Sequence, residues 1–161
     1  MEEMLVKLAI VISLVNPSFT PKSKGLEMKN ETHCLAMNMY HEARGESYKG
    51  MLAVSSVVLN RVADKRYPST ICGVVYQGSA NPKVSNKCQF SWTCDKLPDT
   101  PKEKEFYRNI HLLAKQIMKN KESVKSITKY STHYHADYVN PFWANKKYRT
   151  MKINKHIFYK M

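Results

Sequence analysis

Acidic residues are scarce in this sequence. Thirteen Asp and Glu stand against 26 Lys and Arg, giving a formal net charge of +13 over 161 residues. A field of that sign draws polyanions, whether nucleic acid, anionic lipid or an acidic cell-wall polymer, and charge alone does not choose among them. Cys-x-x-Cys is absent. The four cysteines, at 34, 72, 88 and 94, therefore fit no zinc-ribbon spacing. They are either buried or free thiols in a reducing compartment or disulfides in an oxidising one. Four cysteines allow three full pairings, and Cys88 with Cys94 can close a short loop. His-Glu-x-x-His is absent too: Glu42 follows His41, but position 45 is Gly. The zinc-protease pattern fails, although His33, His41, His133, His135 and His156 keep a metal hydrolase as a competing reading. No nucleic-acid-binding motif accompanies the scattered lysines. No internal repeat or low-complexity stretch occurs, and nothing calls for a cofactor.

Long apolar runs are also missing. The best is Met4–Val15, MLVKLAIVISLV, well short of the ~20 residues that an ordinary membrane span needs. It reads as the apolar region of an export signal, as an uncleaved anchor, or as a terminal helix or strand docked on the domain. Glu2 and Glu3 spoil the positive start of a signal, and no clean Ala-x-Ala site follows. Residues 17–29 are polar with two prolines and a glycine, as in a linker. The expected organisation is a signal-like or anchor segment plus linker over 1–28, then one catalytic domain over 29–161. That domain is long enough for a real core.

What is present is helices first and a small sheet last. Glu31–Ala43 has Leu35, Ala36, Met39 and Ala43 on one helical face, with Thr32 as its expected cap. Gly45 and Ser47 break and restart the chain. The segment from Gly50 to Val62 is apolar nearly all round, as in a helix at a domain centre; its valines also permit a strand, but its length favours helix. Asp64–Pro68 is a turn. A short helix is expected over Ser69–Gln77 with Ser69 as cap, and loop over Gly78–Pro98. Thr100-Pro-Lys-Glu103 has the form of a capping box, opening a helix to about Asn120 with Phe106, Ile110, Leu113, Ala114 and Ile117 buried. Thr132–His135 alternates as a strand does, and Arg149–Ile153 with His156–Tyr159 forms a hairpin about Asn154-Lys155. The class is α+β, mainly helical, with a small antiparallel sheet near the C-terminus.

The chemistry centres on Met39-Tyr-His-Glu-Ala-Arg-Gly-Glu46, where His41, Glu42, Arg44 and Glu46 crowd together. A carboxylate at a helix end walled by apolar residues has its pKa raised by desolvation, as a general acid for cleaving a sugar linkage requires. The bland reading is a polar helix terminus with Arg44 pairing Glu46 in solvent.

This block, with Ala53-Val54, Val58-Leu-Asn-Arg-Val62, Tyr67-Pro68, Thr70-Ile-Cys-Gly-Val-Val-Tyr-Gln77, Cys88-Gln-Phe-Ser-Trp92, Tyr134-His135, Val139-Asn-Pro141, Trp143-Ala144 and Ile153-Asn-Lys-His-Ile-Phe-Tyr159, resembles the spore-cortex-lytic (SleB/CwlJ-type) cell wall hydrolases. The likeness runs from about Glu31 to Lys160. It implies a lysozyme-like fold and cleavage of peptidoglycan glycan strands, with Glu42 as the catalytic acid. It further implies a lytic transglycosylase that cuts between N-acetylmuramic acid and N-acetylglucosamine and leaves a 1,6-anhydro end. One carboxyl suffices for that reaction. Glu46 is the candidate second carboxylate for a hydrolytic muramidase; its simpler role is a helix cap or a partner of Arg44 or Arg61. Gln77, Gln89 and Asn140 are expected to hydrogen-bond sugar groups, and Phe90, Trp92, Tyr134 and Trp143 to stack on pyranose faces or, for the loop pair, to anchor the core. His135 is expected to hold a muramic carboxylate or orient Glu42. Where the family usually has glycine this chain has Asn154, which tolerates a left-handed turn. The expected partner is peptidoglycan, not nucleic acid, with no stable membrane domain and a monomeric state. A secreted, periplasmic or wall location fits, as does a host cytoplasm awaiting release if the chain is a phage endolysin. A non-enzymatic wall- or nucleic-acid-binding protein is the reading of a different class.

Overall fold

The computed structural model describes residues 30–79 and 88–161, and the expected signal-like or anchor segment lies outside them. Helix α1 spans Glu31–Glu42 and buries Cys34 through Tyr40. Its cap is Asn30, whose side chain accepts the Thr32 N–H at 2.8 Å, so the expected Thr32 cap moves two residues upstream. Helix α2, Tyr48–Val62, is buried along most of its length, as its all-round apolar pattern requires. Ser47 caps it, and Gly45 (φ 85°) makes the turn between the two helices.

Helix α3 is the short Ile71–Val75. Thr70 rather than Ser69 is its cap, accepting the Gly73 N–H at 2.9 Å, and the Glu31 carboxylate accepts from Ile71 and Cys72 at the same end. A disulfide joins Cys34 of α1 to Cys72 of α3, and Cys88 pairs with Cys94. One of the three possible pairings is thereby realised. A single 3-10 turn covers Ser91–Thr93.

Helix α4 runs Lys104–Lys119 and buries Ile110, Leu113, Ala114 and Ile117, with Phe106 half-buried. It starts later than the Thr100 capping box implies. Glu103 is the flanking residue, and its carboxylate is taken up by the Tyr40 hydroxyl and by Arg44. The sequence pattern was local; the carboxylate found stronger partners on α1. Helix α5, Lys121–Ser126, follows after Asn120.

Strands β1 (His133–Ala136), β2 (Tyr148–Ile153) and β3 (His156–Lys160) form an antiparallel sheet in the order β1-β3-β2. The β2–β3 hairpin turns at Asn154 with φ 49°, the left-handed conformation that Asn adopts at small cost. Asn154 Nδ2 also donates to Ser47 Oγ at 2.6 Å, pinning the hairpin tip to the start of α2.

The main core joins α1, α2, α3 and α4, and a smaller one of Ala53, Val57, Ile153 and Phe158 joins α2 to the sheet. Burying one such large side chain is worth roughly 1.5–3 kcal/mol. Polar residues on the central helix have a defined use. Ser56 Oγ pairs with Thr128 Oγ1 at 2.7 Å and donates to Lys125 O, and Asn60 Nδ2 donates to Ser131 O at 2.9 Å. They satisfy the backbone that carries the chain from α5 into β1. Among the described residues, no helix is long and apolar enough to cross a membrane.

Candidate active site

Glu42 is the last residue of α1. Leu35, Ala36 and Met39 hold that helix in the core with no exposure, and Gly45 turns the chain away three residues later. The terminal carboxylate is thus left at the border of the core. Its Oε2 accepts a hydrogen bond from the Tyr134 hydroxyl of β1 at 2.8 Å. Burial pushes the Glu42 pKa above its ordinary 4.5, while the Tyr134 bond and the Arg61 charge pull down without reversing the shift. Tyr134 is itself raised well above 10, by burial first and then by the Glu42 charge, so its hydroxyl keeps its proton and donates.

Arg61 of α2 completes the arrangement. It is 3% exposed, donates Nε–H to the Thr132 carbonyl at 2.7 Å, and lies over the rings of Tyr67 and Phe90 at 5.5 and 5.6 Å. Burial lowers its pKa, against the opposing pull of Tyr134, Tyr67 and Glu42. Its Nη1 is buried without a hydrogen-bond partner, and its charge is one of the influences that pull the Glu42 pKa down.

Glu46 sits differently. Its Oε1 lies 3.8 Å from His156 Nδ1, both side chains nearly buried at 12% and 11% exposure. Burial lowers the His156 pKa, with Glu46 opposing. Gly50 makes room for this pair: a Cβ there would lie 2.9 Å from both Glu46 Cβ and Asn154 Nδ2. The expected Arg44–Glu46 pair does not form. Arg44 instead meets Glu103 at 3.2 Å on the surface, and Arg61 is engaged with β1 and the aromatic rings.

The remaining expected site residues divide. Phe90 and Trp92 are 3% and 5% exposed. Trp92 stacks on His41 at 4.4 Å and donates Nε1–H to Asn38 Oδ1 at 3.1 Å. Protein covers both rings, which suits core anchors rather than sugar platforms. Gln77 and Gln89 are brought together by the Gln89 N–H, which donates to the Gln77 carbonyl at 2.9 Å, and Gln77 Oε1 is buried without a partner.

His135 does not orient Glu42; Tyr134 does. Side chains alternate across a strand, so with Tyr134 turned toward α1, His135 faces the other way. Its Nε2 meets the Tyr159 hydroxyl at 2.8 Å, and its ring stacks on Tyr159. Asn140 shares a cavity with it on that outer side, and Trp143 packs against His133, His135 and Tyr159. Tyr134 was expected to stack on sugar; its ring packs on His156 and Phe158, and its hydroxyl serves the carboxyl. Arg61 beside Glu42, and His156 as the partner of Glu46, were not foreseen in these roles. The signal for Arg61 was that it is the one cation in the largely apolar segment from Gly50 to Val62.

A partly buried carboxyl, its pKa raised by burial, thus stands where the helices of a lysozyme-like fold meet a small sheet, and it is the candidate acid of the site. The chain belongs to the cell wall hydrolase family, whose model matches residues 45–159; Glu42 lies just before the matched region. Among solved structures it is similar to the catalytic domain of the germination-specific lytic transglycosylase SleB from Bacillus anthracis, at 28% identity and a TM-score of 0.56, covering 86% of this chain and 100% of that one. It is also similar to the catalytic domain of the Bacillus cereus SleB protein, at 26% identity and a TM-score of 0.53, covering 90% and 100%. Curated relatives include the spore cortex-lytic enzymes of Bacillus cereus, 35% identical over 71 residues, and Bacillus subtilis, 37% identical over 57 residues. These matches take in 41% and 35% of this chain but only 27% and 19% of the relatives' lengths.

Proposed function

We propose that this chain cleaves peptidoglycan glycan strands as a lytic transglycosylase, between N-acetylmuramic acid and N-acetylglucosamine, with Glu42 as its one catalytic carboxyl. The protonated Glu42 gives its proton to the glycosidic oxygen as the C1–O bond breaks. The resulting carboxylate then takes the proton of the muramic C6 hydroxyl while that oxygen bonds to C1, leaving the 1,6-anhydro end and restoring the acid. The observation that carries this reading is the Glu42 carboxyl at the core's border, held through one oxygen by the Tyr134 hydroxyl at 2.8 Å, where burial raises its pKa. Tyr134 fixes the orientation of the carboxyl, and the Arg61 charge eases formation of the carboxylate between the two half-reactions.

A hydrolytic muramidase would need a second carboxylate to direct water. Glu46 is turned to His156 and packed over Gly50, which supports the single-carboxyl route. Two disulfides support a working location outside the reducing cytoplasm, in keeping with a wall substrate. Mass spectrometry of purified peptidoglycan after digestion tests the proposal. Anhydro-muropeptides are the expected product; reducing muramic ends in their place would replace the transglycosylase with a hydrolase.

A further inference from the structure

The outer side of the sheet carries a cavity of about 450 Å³, lined among others by Asn140, Asn145, Lys147, Arg149 and Tyr159. It is separate from the Glu42 site, since His135 and Tyr159 face it while Tyr134 and Phe158 face the core, in keeping with the pairings His133↔Tyr159 and Tyr134↔Phe158. Its charge is of one sign. The lining Asp137 is neutralised by Lys152 at 2.7 Å, whereas Lys147 and Arg149 meet no carboxylate among the described residues. Lys147 is half-buried, with its ammonium 5.9 Å from the centre of the Trp143 ring. Lys147 also acts on nearby His133, which is driven down to about 4 by burial first and then by Lys147, Arg61 and Arg66, with Asp64 opposing. Lys147 and Arg149 both line this concave site, so an anion entering it meets two cations that have no carboxylate partner among the described residues. Around them stand two carboxamides, and the loop that forms the rim carries Tyr138 and Phe142, each 83% exposed.

We propose that this cavity is a second binding site, for an oxyanion carried on a sugar polymer of the wall. Lys147 and Arg149 take the anionic oxygens, and Asn140 and Asn145 hydrogen-bond the adjoining saccharide. The site would hold the enzyme to its substrate from the side opposite the cutting carboxyl. That the polymer is a wall polymer rests on the function proposed above; that the cavity takes an oxyanion rests on its residues alone. Two sources share the chemistry, the phosphodiesters of a wall-linked phosphate polymer and the carboxylates of peptidoglycan itself.

The test is co-sedimentation of the full chain, carrying Glu42→Gln so that the wall stays intact, with purified sacculi before and after hydrofluoric acid removes phosphate polymers. Adding Lys147→Glu and Arg149→Glu should weaken binding by about tenfold or more. Adding Lys115→Glu and Lys119→Glu, on the exposed side of α4, changes net charge equally and should weaken it far less. Loss confined to untreated sacculi assigns the phosphodiester, and equal loss on both assigns the carboxylate. No loss on either, or the same loss from the α4 pair, overturns the proposal. Lys147→Gln with Arg149→Gln serves as a milder version if the reversed charges disturb folding, which thermal melting reports. In the otherwise wild-type chain, cleavage of stripped sacculi reports separately on the Glu42 chemistry, so failure of one reading is distinct from failure of the other.

Discussion

The two faces of the three-stranded sheet differ in what they do to a titratable group. On the inner face, Tyr134, His156 and Phe158 pack against α2 and the end of α1, and the carboxyl that meets them, Glu42, is pushed toward its protonated form by burial. On the outer face, His133, His135 and Tyr159 line up beneath a polar loop, and the local charge is cationic and unneutralised. One strand, β1, supplies both environments from adjacent residues. The lesson is that a histidine and a tyrosine one position apart can belong to different sites, and that the side of the strand decides the chemistry more than the residue type does.

The largest expected effect is on the inner face. Glu42→Gln should reduce wall lysis by about 10²–10⁴-fold or more, because an amide cannot shuttle a proton; turbidity clearing of a wall suspension measures it. The fold should not suffer, since the amide oxygen still accepts from Tyr134. The sign of the linkage goes further. The native Glu42 holds its proton to a higher pH than the unfolded chain does, so wild-type stability falls as pH rises from about 4.5 through the raised native pKa. The variant lacks that loss, and above that range it should melt at or above the wild-type temperature.

Next comes Arg61, whose removal separates the faces structurally. Arg61→Ala loses the bond to Thr132, the packing between Tyr67 and Phe90, and the tie between α2 and β1. A destabilisation of ~3 kcal/mol is expected in urea unfolding, whereas Arg149→Ala, on the outer face, should leave the unfolding midpoint nearly in place. Equal effects would break the comparison.

His133 titrates in the opposite sense to Glu42. Its native pKa is lowered to about 4 from 6.5, by burial first and then by Lys147, Arg61 and Arg66. The unfolded chain therefore binds more protons between those values, and stability present above pH 6.5 is lost as pH falls toward 4. His156, lowered by burial, adds to the same trend. Thermal melts across that range should show the decline, and His133→Asn should make it shallower.

Packing and alternation were legible in the chain. Leu35, Ala36, Met39 and Ala43 predicted the buried side of α1, the all-round apolar segment predicted central α2, and Asn154 predicted a left-handed hairpin turn. The caps were not legible, because Thr32 and Asn30, Ser69 and Thr70, or Thr100 and Glu103 are neighbours competing for the same amide groups. Glu103 was decided by Tyr40, 63 residues away. Period two in Thr132–His135 gave the strand but not which of its sides faces inward; that depends on what α1 and α2 present to it. For the same reason Glu42 could be nominated from its local setting and the family resemblance, while its contact with Tyr134 and the influence of Arg61 could not.

The smallest effect concerns a single hydroxyl. Tyr134→Phe keeps the ring packing and should cost ~1 kcal/mol of stability. It removes a bond that lowers the Glu42 pKa, so the carboxyl should titrate higher still, and His135→Ala should move that titration less. The most direct measurement is the titration of the Glu42 side-chain carboxyl by carbon-13 NMR in the full chain. A midpoint clearly above 4.5, rising further in Tyr134→Phe, is the expected result; a midpoint at or below 4.5, unmoved by that substitution, would contradict the assignment of Glu42 as the buried acid.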